Sequence, residues 1–298
     1  MAYNLRFVGV LFASAVVAGF FGALLGVGGG IFIVPALVLV FKLPVKLAVA
    51  ASLVSVIATS NAGGSSYVEQ RITNLKLGMF LEVATTIGAL SGSVLALFLR
   101  EWVMLLLFAA LLLYMSFSAY ATRKHDDRRI AAGNYAGAQP DVLSRWLALD
   151  GSYEDRALHK RVDYVVKGTG VGMSVSYLAG MASGLLGVGG GVLKVSAMNR
   201  YMNVPMKASV GTSKMMIGVT AAVGSILFYL AGLVHFFVVA PVALGTTVGA
   251  GVGTRIMNKL RSAVLKAIFA VLMLYLAYGM LAKALALRFH VMLPNLGS

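Results

Sequence analysis

The chain has 298 residues, of which 59% are hydrophobic and 12% charged, and its mean hydropathy is +0.88. That is far more apolar surface than a soluble domain of this length buries, so the composition predicts an all-α polytopic membrane protein whose surroundings are the lipid bilayer. The formal net charge of +15 does not imply nucleic acid, because the basic residues stand beside apolar runs, and the lack of cysteine excludes disulfides, thiolate nucleophiles and thiolate metal sites.

The first apolar segment covers residues 7–26 and runs into Gly26-Val27-Gly28-Gly29-Gly30. The next, 31–41, reaches only about 16 Å as a helix, roughly half of a hydrocarbon core of about 30 Å. It is therefore expected to be a half-helix. Segments 45–66, 76–99 and 102–121 follow, each of membrane length. The stretch 122–163 is polar, with mixed charges, Gly133, Gly137 and Pro140, and is expected to be a connecting loop that is partly helical.

After it the pattern returns. Gly187-Val188-Gly189-Gly190-Gly191 repeats the glycine stretch 161 residues on (187 minus 26), and the same offset aligns Pro44 with Pro205, Lys46 with Lys207, Ser52 with Ser213, Gly88 with Gly249 and Gly92 with Gly253. Segment 164–187 precedes the second copy, the short 192–202 follows it, and 207–233, 236–256 and 263–286 complete the series. The chain is thus two copies of one unit. The expected organisation is a first transmembrane repeat (7–121), a central loop (122–163) and a second transmembrane repeat (164–286). Each repeat has about five hydrophobic segments, with helix breaks and half-helices at the midplane.

Five segments per half would put equivalent loops on opposite sides of the membrane, and their charges differ accordingly. Arg71 and Lys76 face an equivalent loop at 232–235 without lysine or arginine, whereas Arg100 faces Arg255, Lys259, Arg261 and Lys266. On this threading the central loop's side holds 17 of the basic residues and the other side 6, with Lys194 and Lys214 inside apolar segments. The central loop is expected to be cytoplasmic and the repeats inverted, a build that secondary transporters use.

The glycine stretch is not a nucleotide loop: it lacks the terminal Gly-Lys-Ser/Thr, and Ile31 and Val192 stand where the dinucleotide pattern needs glycine. Within a membrane it can break a helix and leave N–H groups at the next helix start, where an anion is favoured. Gly28, Gly29 and Gly30 with Gly189, Gly190 and Gly191 are the expected cradle; a close helix crossing that needs only the room is the competing explanation. Lys194 and Lys214 have apolar equivalents, Ile33 and Leu53. A lysine in hydrocarbon costs about 3 kcal/mol on insertion scales, so both are candidate anion partners, with snorkelling as the alternative. Ser52, Asn61 and Ser213 are candidate hydrogen-bond donors. Glu82 is either a coupling carboxylate or, the favoured reading, an interfacial residue near Arg71 and Lys76. The four histidines have no ligand spacing and no nucleophile-base arrangement stands out, so neither catalytic residue, metal nor cofactor is expected.

Gly184-Leu185-Leu186-Gly187-Val188-Gly189-Gly190-Gly191, its near copy at residues 23–30, and Val34-Pro35 resemble the signature of the TauE/SafE family of sulfite and organosulfonate exporters. The resemblance spans both repeats. It implies a bacterial or archaeal inner-membrane carrier of small sulfur-containing anions; whether the chain forms a homo-oligomer is not fixed by the sequence. Ser196 stands where Pro35 would recur, so the two half-helices are not expected to match in full. The expected function is a secondary transporter of a small anion, exporting sulfite or an organosulfonate, with a channel-like anion pore and a non-transporting scaffold or sensor as the rival readings.

Overall fold

The computed structural model describes residues 5–24, 29–69, 71–121, 135, 137–155, 160–257 and 262–289. In the first half, α1 (Leu5–Leu24), α2 (Gly30–Pro35) with a π-helical turn (Ala36–Val40), α3 (Val45–Glu69), α4 (Leu75–Phe98) and α5 (Glu101–Ala121) follow one another. The central part holds α6 (Val142–Trp146) and a hairpin of β1 (Gly151–Asp155) and β2 (Lys160–Tyr164). The second half is α7 (Thr169–Leu186), α8 (Gly191–Arg200), α9 (Met206–Leu230), α10 (Phe236–Met257) and α11 (Ser262–Phe289). Among the described residues five helices are long and apolar enough to cross a membrane, with further shorter apolar ones. Large apolar side chains such as Val83, Ile87, Phe117, Leu230 and Leu244 are exposed, as a lipid-facing surface requires.

Both short segments are half-helices, and they differ where Pro35 and Ser196 differ. Pro35 has no N–H to give to the Ile31 carbonyl, and after it the turns widen: Phe41 N bonds Ala36 O at 3.3 Å and Leu43 N bonds Leu37 O at 3.0 Å. Widening leaves the Val38 carbonyl to an outside donor, and Lys283 Nζ of α11 reaches it at 2.6 Å. With Ser196 in place of proline, α8 stays α-helical to Arg200.

Helix directions follow from glycine contacts. Along α10, Gly245 meets Phe12, Gly249 meets Val16 and Gly253 meets Phe20, so α10 runs parallel to α1. Along α4, Gly88 meets Tyr177 and Gly92 meets Met181, so α4 runs parallel to α7. At the repeat offset α1 corresponds to α7 and α4 to α10. The first helix of each half therefore packs along the fourth helix of the other. Equivalent helices that touch run antiparallel: Gly218 and Gly224 of α9 meet Ser60 and Leu53 of α3. Likewise Ser116 Oγ of α5 donates to Ala270 O of α11 at 3.0 Å, while Arg288 lies 5.6 Å over the Trp102 ring.

The central segment is more than a connecting loop. In the hairpin, buried Tyr153, Val162 and Tyr164 alternate with exposed Glu154, Arg161 and Asp163, the period of a half-buried strand pair. Its buried face joins Tyr135, Leu149 and Val166 in a cluster with Leu77 and Leu81 of α4, Met198 of α8, Met202 and Met216. Side-chain amides fasten it: Asn74 Nδ2 donates to Leu149 O at 2.7 Å and to Tyr164 Oη at 3.1 Å. Asn203 Nδ2 donates to Tyr135 O and Val165 O at 2.9 and 3.0 Å. A partly helical loop was expected here; the two-stranded cap that forms beside the short α6 reflects the alternation within 151–164. Tyr164 belongs to this cap, and the first helix of the second unit starts at Thr169.

Candidate functional site

The glycine breaks are built by backbone geometry. Gly187, Gly189 and Gly190 have φ of +73°, +74° and +65°, values that let the chain leave α7 and enter α8 across the four residues 187–190, and that side chains disfavour. Gly190 also leaves room for the Ala179 carbonyl, which a Cβ would meet at 2.5 Å. In the first copy Gly29 and Gly30 begin α2, while Gly28 lies outside the described residues.

The two breaks meet. A Cβ on Gly30 would lie 2.5 Å from the Gly187 carbonyl oxygen. Ser52 Oγ donates to Gly187 O at 2.7 Å and approaches Gly30 O at 3.3 Å, and its equivalent Ser213 donates to Gly191 O at 3.2 Å. Both serines were candidate donors to a ligand, with a helix-packing role as the favoured reading, and both hydroxyls go to carbonyls at the breaks; Gly187 O lies between helices, where a buried carbonyl without a donor is costly.

One turn past Gly191, Lys194 is wholly buried. Its Nζ donates to Thr220 Oγ1 of α9 at 2.7 Å, Thr220 Oγ1 donates to Glu82 Oε1 of α4 at 2.7 Å, and Nζ stands 3.9 Å from Glu82 Oε2. The side chain of Glu82 is 13% exposed. The favoured expectation for Glu82, an interfacial residue beside Arg71 and Lys76, is therefore corrected: α4 turns it inward. A buried ammonium without water needs a counter-charge. The register that supplies it is set two turns earlier, where Asn74 N donates to Thr212 Oγ1 at 3.0 Å, Asn74 capping α4 through Leu77 N. Glu82 and Thr220 keep the same spacing along the two parallel helices.

The pairing joins three helices from both halves, so no local pattern marks it. A signal did exist. At the repeat offset Lys194 has Ile33 and Glu82 has Ala243 as equivalents, so both charges break the symmetry together, whereas Thr220 has an equivalent threonine, Thr59. Thr59 bonds only its own helix, to Ser55 O at 3.0 Å and Val56 O at 3.2 Å.

Hydrogen-bonding capacity remains around the break. Among the described residues, the hydroxyls of Ser176 and Ser183, both wholly buried on α7, have no partner, and Ser183 Cβ would lie 3.5 Å from a Cβ on Gly190. Their spacing of seven puts them on one face of α7. The first-turn N–H groups of α8 also have no acceptor within the helix. A fixed cation, an unused hydroxyl and a helix start together suit a small oxyanion.

Lys214 and Asn61 are placed elsewhere. Lys214 is half-buried on the α9 face toward α3, where its carbonyl accepts from Ser60 Oγ at 2.7 Å. One turn on, Gly218 packs against Ser60 and beside Asn61, which is exposed. The two therefore share a second polar face, separate from the Lys194 group. Toward the central segment the next turn is apolar: Met198, four residues past Lys194, and Met216, four before Thr220, belong to the cap cluster. The cap thus sits directly over the Lys194 group.

The sequence profile of the family described as "Sulfite exporter TauE/SafE" matches residues 11–280. Two proteins of Bacillus subtilis (strain 168) are similar over most of their length, both named as probable membrane transporter proteins. YunE is 24% identical over 260 residues, which cover 85% of this chain and 89% of the relative. YdhB is 25% identical over 257 residues, 86% and 91% respectively. The probable membrane transporter protein MamO of Paramagnetospirillum magneticum is 30% identical over 112 residues, 35% of this chain and 18% of that protein. No solved structure matches.

Proposed function

The chain belongs to the sulfite exporter TauE/SafE family, and from that premise we propose that it is a secondary carrier of a small anion, exporting sulfite or an organosulfonate across the inner membrane. The observation that carries the proposal is Lys194, wholly buried at the start of a half-helix beside unused hydroxyls. An intramembrane lysine is expensive unless it faces a partner or a pathway, and a broken helix near the midplane is where carriers bind charged substrates.

The two halves act as inverted repeats in this reading. A two-fold axis along the membrane normal would keep equivalent helices parallel, and one in the membrane plane turns them over; α3 and α9, and α5 and α11, run antiparallel. The excess of basic residues on the central segment's side supports a cytoplasmic cap. Cysteines introduced at Glu154 and Arg100, in a chain with none of its own, should then label from opposite faces, and labelling from one face overturns this topology.

Proteoliposome flux with sulfite, methanesulfonate and taurine tests the transport. A carrier saturates and shows counterflow. Flux that rises without saturation makes the protein a pore, and absence of flux with every member makes it a scaffold.

A further inference from the structure

We propose that the Glu82 carboxylate is a built-in stand-in for the substrate at Lys194, and that it takes up a proton when the anion replaces it. This deepens the transport reading above and rests on it.

The geometry is that of an occupied but imperfect pair. Lys194 Nζ is spent on Thr220 at 2.7 Å, while Glu82 Oε2 stands 3.9 Å away, beyond hydrogen-bond distance and without any bonded partner. Thr220 is the bridge, accepting from the ammonium and donating to the carboxylate. Such a bridge holds the carboxylate near the ammonium without letting it close on it. An oxyanion with several acceptors can bond Nζ directly and also take a free hydroxyl of α7, Ser176 or Ser183, which stand about 10 Å apart along that helix. It meets an ammonium whose charge partner is bonded to Thr220 and not to Nζ itself.

Charge balance requires the proton. The empty group contains one cation and one carboxylate and is neutral. Adding an anion leaves two negative charges beside one positive charge in a space closed by Met198, Met216 and the cap. Like charges at that range in a largely buried site do not both stay ionised. Within the group, the displaced carboxylate is what can restore neutrality by binding a proton: a hydronium ion of the solution gives up one O–H bond and becomes water, a new O–H bond forms on Glu82, and no bond breaks in the anion.

The neighbours leave that role to Glu82. Of the helices packed on α4, α7 carries no charged residue, and its Tyr177 Oη lies at Ser91 Oγ, 3.2 Å away and more than two turns from Glu82. On α9, Lys207 is exposed and Lys214 is on the face toward α3. On α8, Arg200 lies at the far end, past the cap methionines. From the cap, Tyr164 reaches Asn74, two turns below Glu82. On α4 itself the other charged residue is Lys76, exposed in the first turn.

Transport of a monoanion would therefore be electroneutral, one proton travelling with each anion, and transport of a dianion would carry one net negative charge. The test uses the purified full chain with methanesulfonate, which does not itself titrate near neutral pH. Addition to wild type should draw about one proton per bound anion from unbuffered solution and should produce the infrared band of a protonated carboxyl. Glu82→Gln, neutral and close in shape, should bind without proton uptake and without that band, and its flux in proteoliposomes should ignore an imposed pH gradient that drives wild-type flux. Glu82→Asp should retain the proton uptake, which separates loss of the carboxyl from loss of fold. Wild-type binding with no proton uptake, or Glu82→Gln with undiminished uptake, overturns the proposal and leaves the carrier reading standing. Failure of wild type to bind or move methanesulfonate, sulfite or taurine overturns the carrier reading and this one with it.

Discussion

Ser52 Oγ donates to the Gly187 carbonyl at 2.7 Å, so that a side chain of the first half closes the glycine break of the second. The same hydroxyl stands 3.3 Å from Gly30 O, whose equivalent, Gly191 O, takes the Ser213 hydroxyl. Ser52 thus serves both breaks and Ser213 one. Ser52→Ala takes the side-chain donor from the buried Gly187 carbonyl between helices and should cost about 1–3 kcal/mol, with Ser213→Ala, whose acceptor opens a helix, at the lower end of that range. Thermal unfolding in detergent ranks the two. If Ser213→Ala is the more damaging, the link between the breaks is not what holds them.

Lys194→Ala should weaken anion binding by a few kcal/mol at most, the scale of one charged hydrogen-bond donor. It also leaves Glu82 buried without its counter-charge, and removing one partner of a buried pair is costly, about 3–5 kcal/mol at the upper end. The variant should therefore melt lower as well as bind less. Lys194→Arg keeps the charge but changes its shape, so partial activity is expected. Calorimetric titration with methanesulfonate on wild type and both variants decides: binding of the alanine variant at wild-type strength would show that Lys194 does not hold the substrate.

Much of this was legible in the sequence, and what was missed has a common cause. The repeat, the two half-helices and the special standing of Lys194 follow from spacing and hydropathy along one chain, and Pro35 against Ser196 already marks where the halves differ. Glu82 was misplaced because a position eight residues past Asn74 suits either an interface or an interior; the α4–α9 register chooses, and it is set by Asn74 and Thr212 on elements far apart in the chain. Ser52 and Ser213 were legible as packing residues or as donors to a ligand, and sequence does not say that the acceptors are glycine carbonyls. Asn61 and Lys214 share a helix–helix face with each other and not with Lys194, which is again a matter of register. The cap hairpin hides in a polar stretch whose alternation is only five residues per strand.

The cap has its own pH dependence. Asp141 accepts from Thr169 Oγ1 at 2.6 Å, from Thr169 N at 2.7 Å and from Ser144 N at 3.0 Å. Partial desolvation pushes its carboxyl up, but these hydrogen bonds outweigh it and hold the group below the usual carboxylate value. A group depressed on folding stabilises above its unfolded value, about 3.9, and that contribution is lost as pH falls from there through the lower folded value. Tyr164 works in the other direction. Burial, opposed by the Asn74 hydrogen bond and aided by the Asp150 charge, pushes its phenol up to about 12. Its contribution is complete below the unfolded value of about 10 and is lost as pH rises through the folded one. Asp141→Asn should flatten the acid limb of cap unfolding, followed by hydrogen exchange at residues 165–169, and Tyr164→Phe the alkaline limb. An acid limb unchanged in Asp141→Asn would place the acid sensitivity elsewhere.

Gly249 and Gly251 stand two residues apart on α10 and should respond to alanine in opposite ways. A Cβ on Gly249 would fall on the Val16 carbonyl and within 2.8 Å of Phe20 N, both backbone atoms of α1 that move only if the whole helix moves. A Cβ on Gly251 would have nothing within 4 Å. Overpacking a close contact costs about 1–3 kcal/mol, and here no flexible side chain can give way, so Gly249→Ala belongs at the upper end. Gly251→Ala removes only backbone freedom from a helix interior and should be neutral, or stabilising by up to about 1 kcal/mol. Gly180 offers the same comparison on α7, since a Cβ there would meet the Thr85 carbonyl of α4. Its alanine variant should damage the protein as Gly249→Ala does, because the α4–α7 pair is the repeat image of the α1–α10 pair. Melting temperatures in detergent separate these outcomes. If Gly249→Ala and Gly251→Ala melt alike, the parallel α1–α10 contact is not held by glycine, and the exchange of first and fourth helices between the halves loses its physical basis.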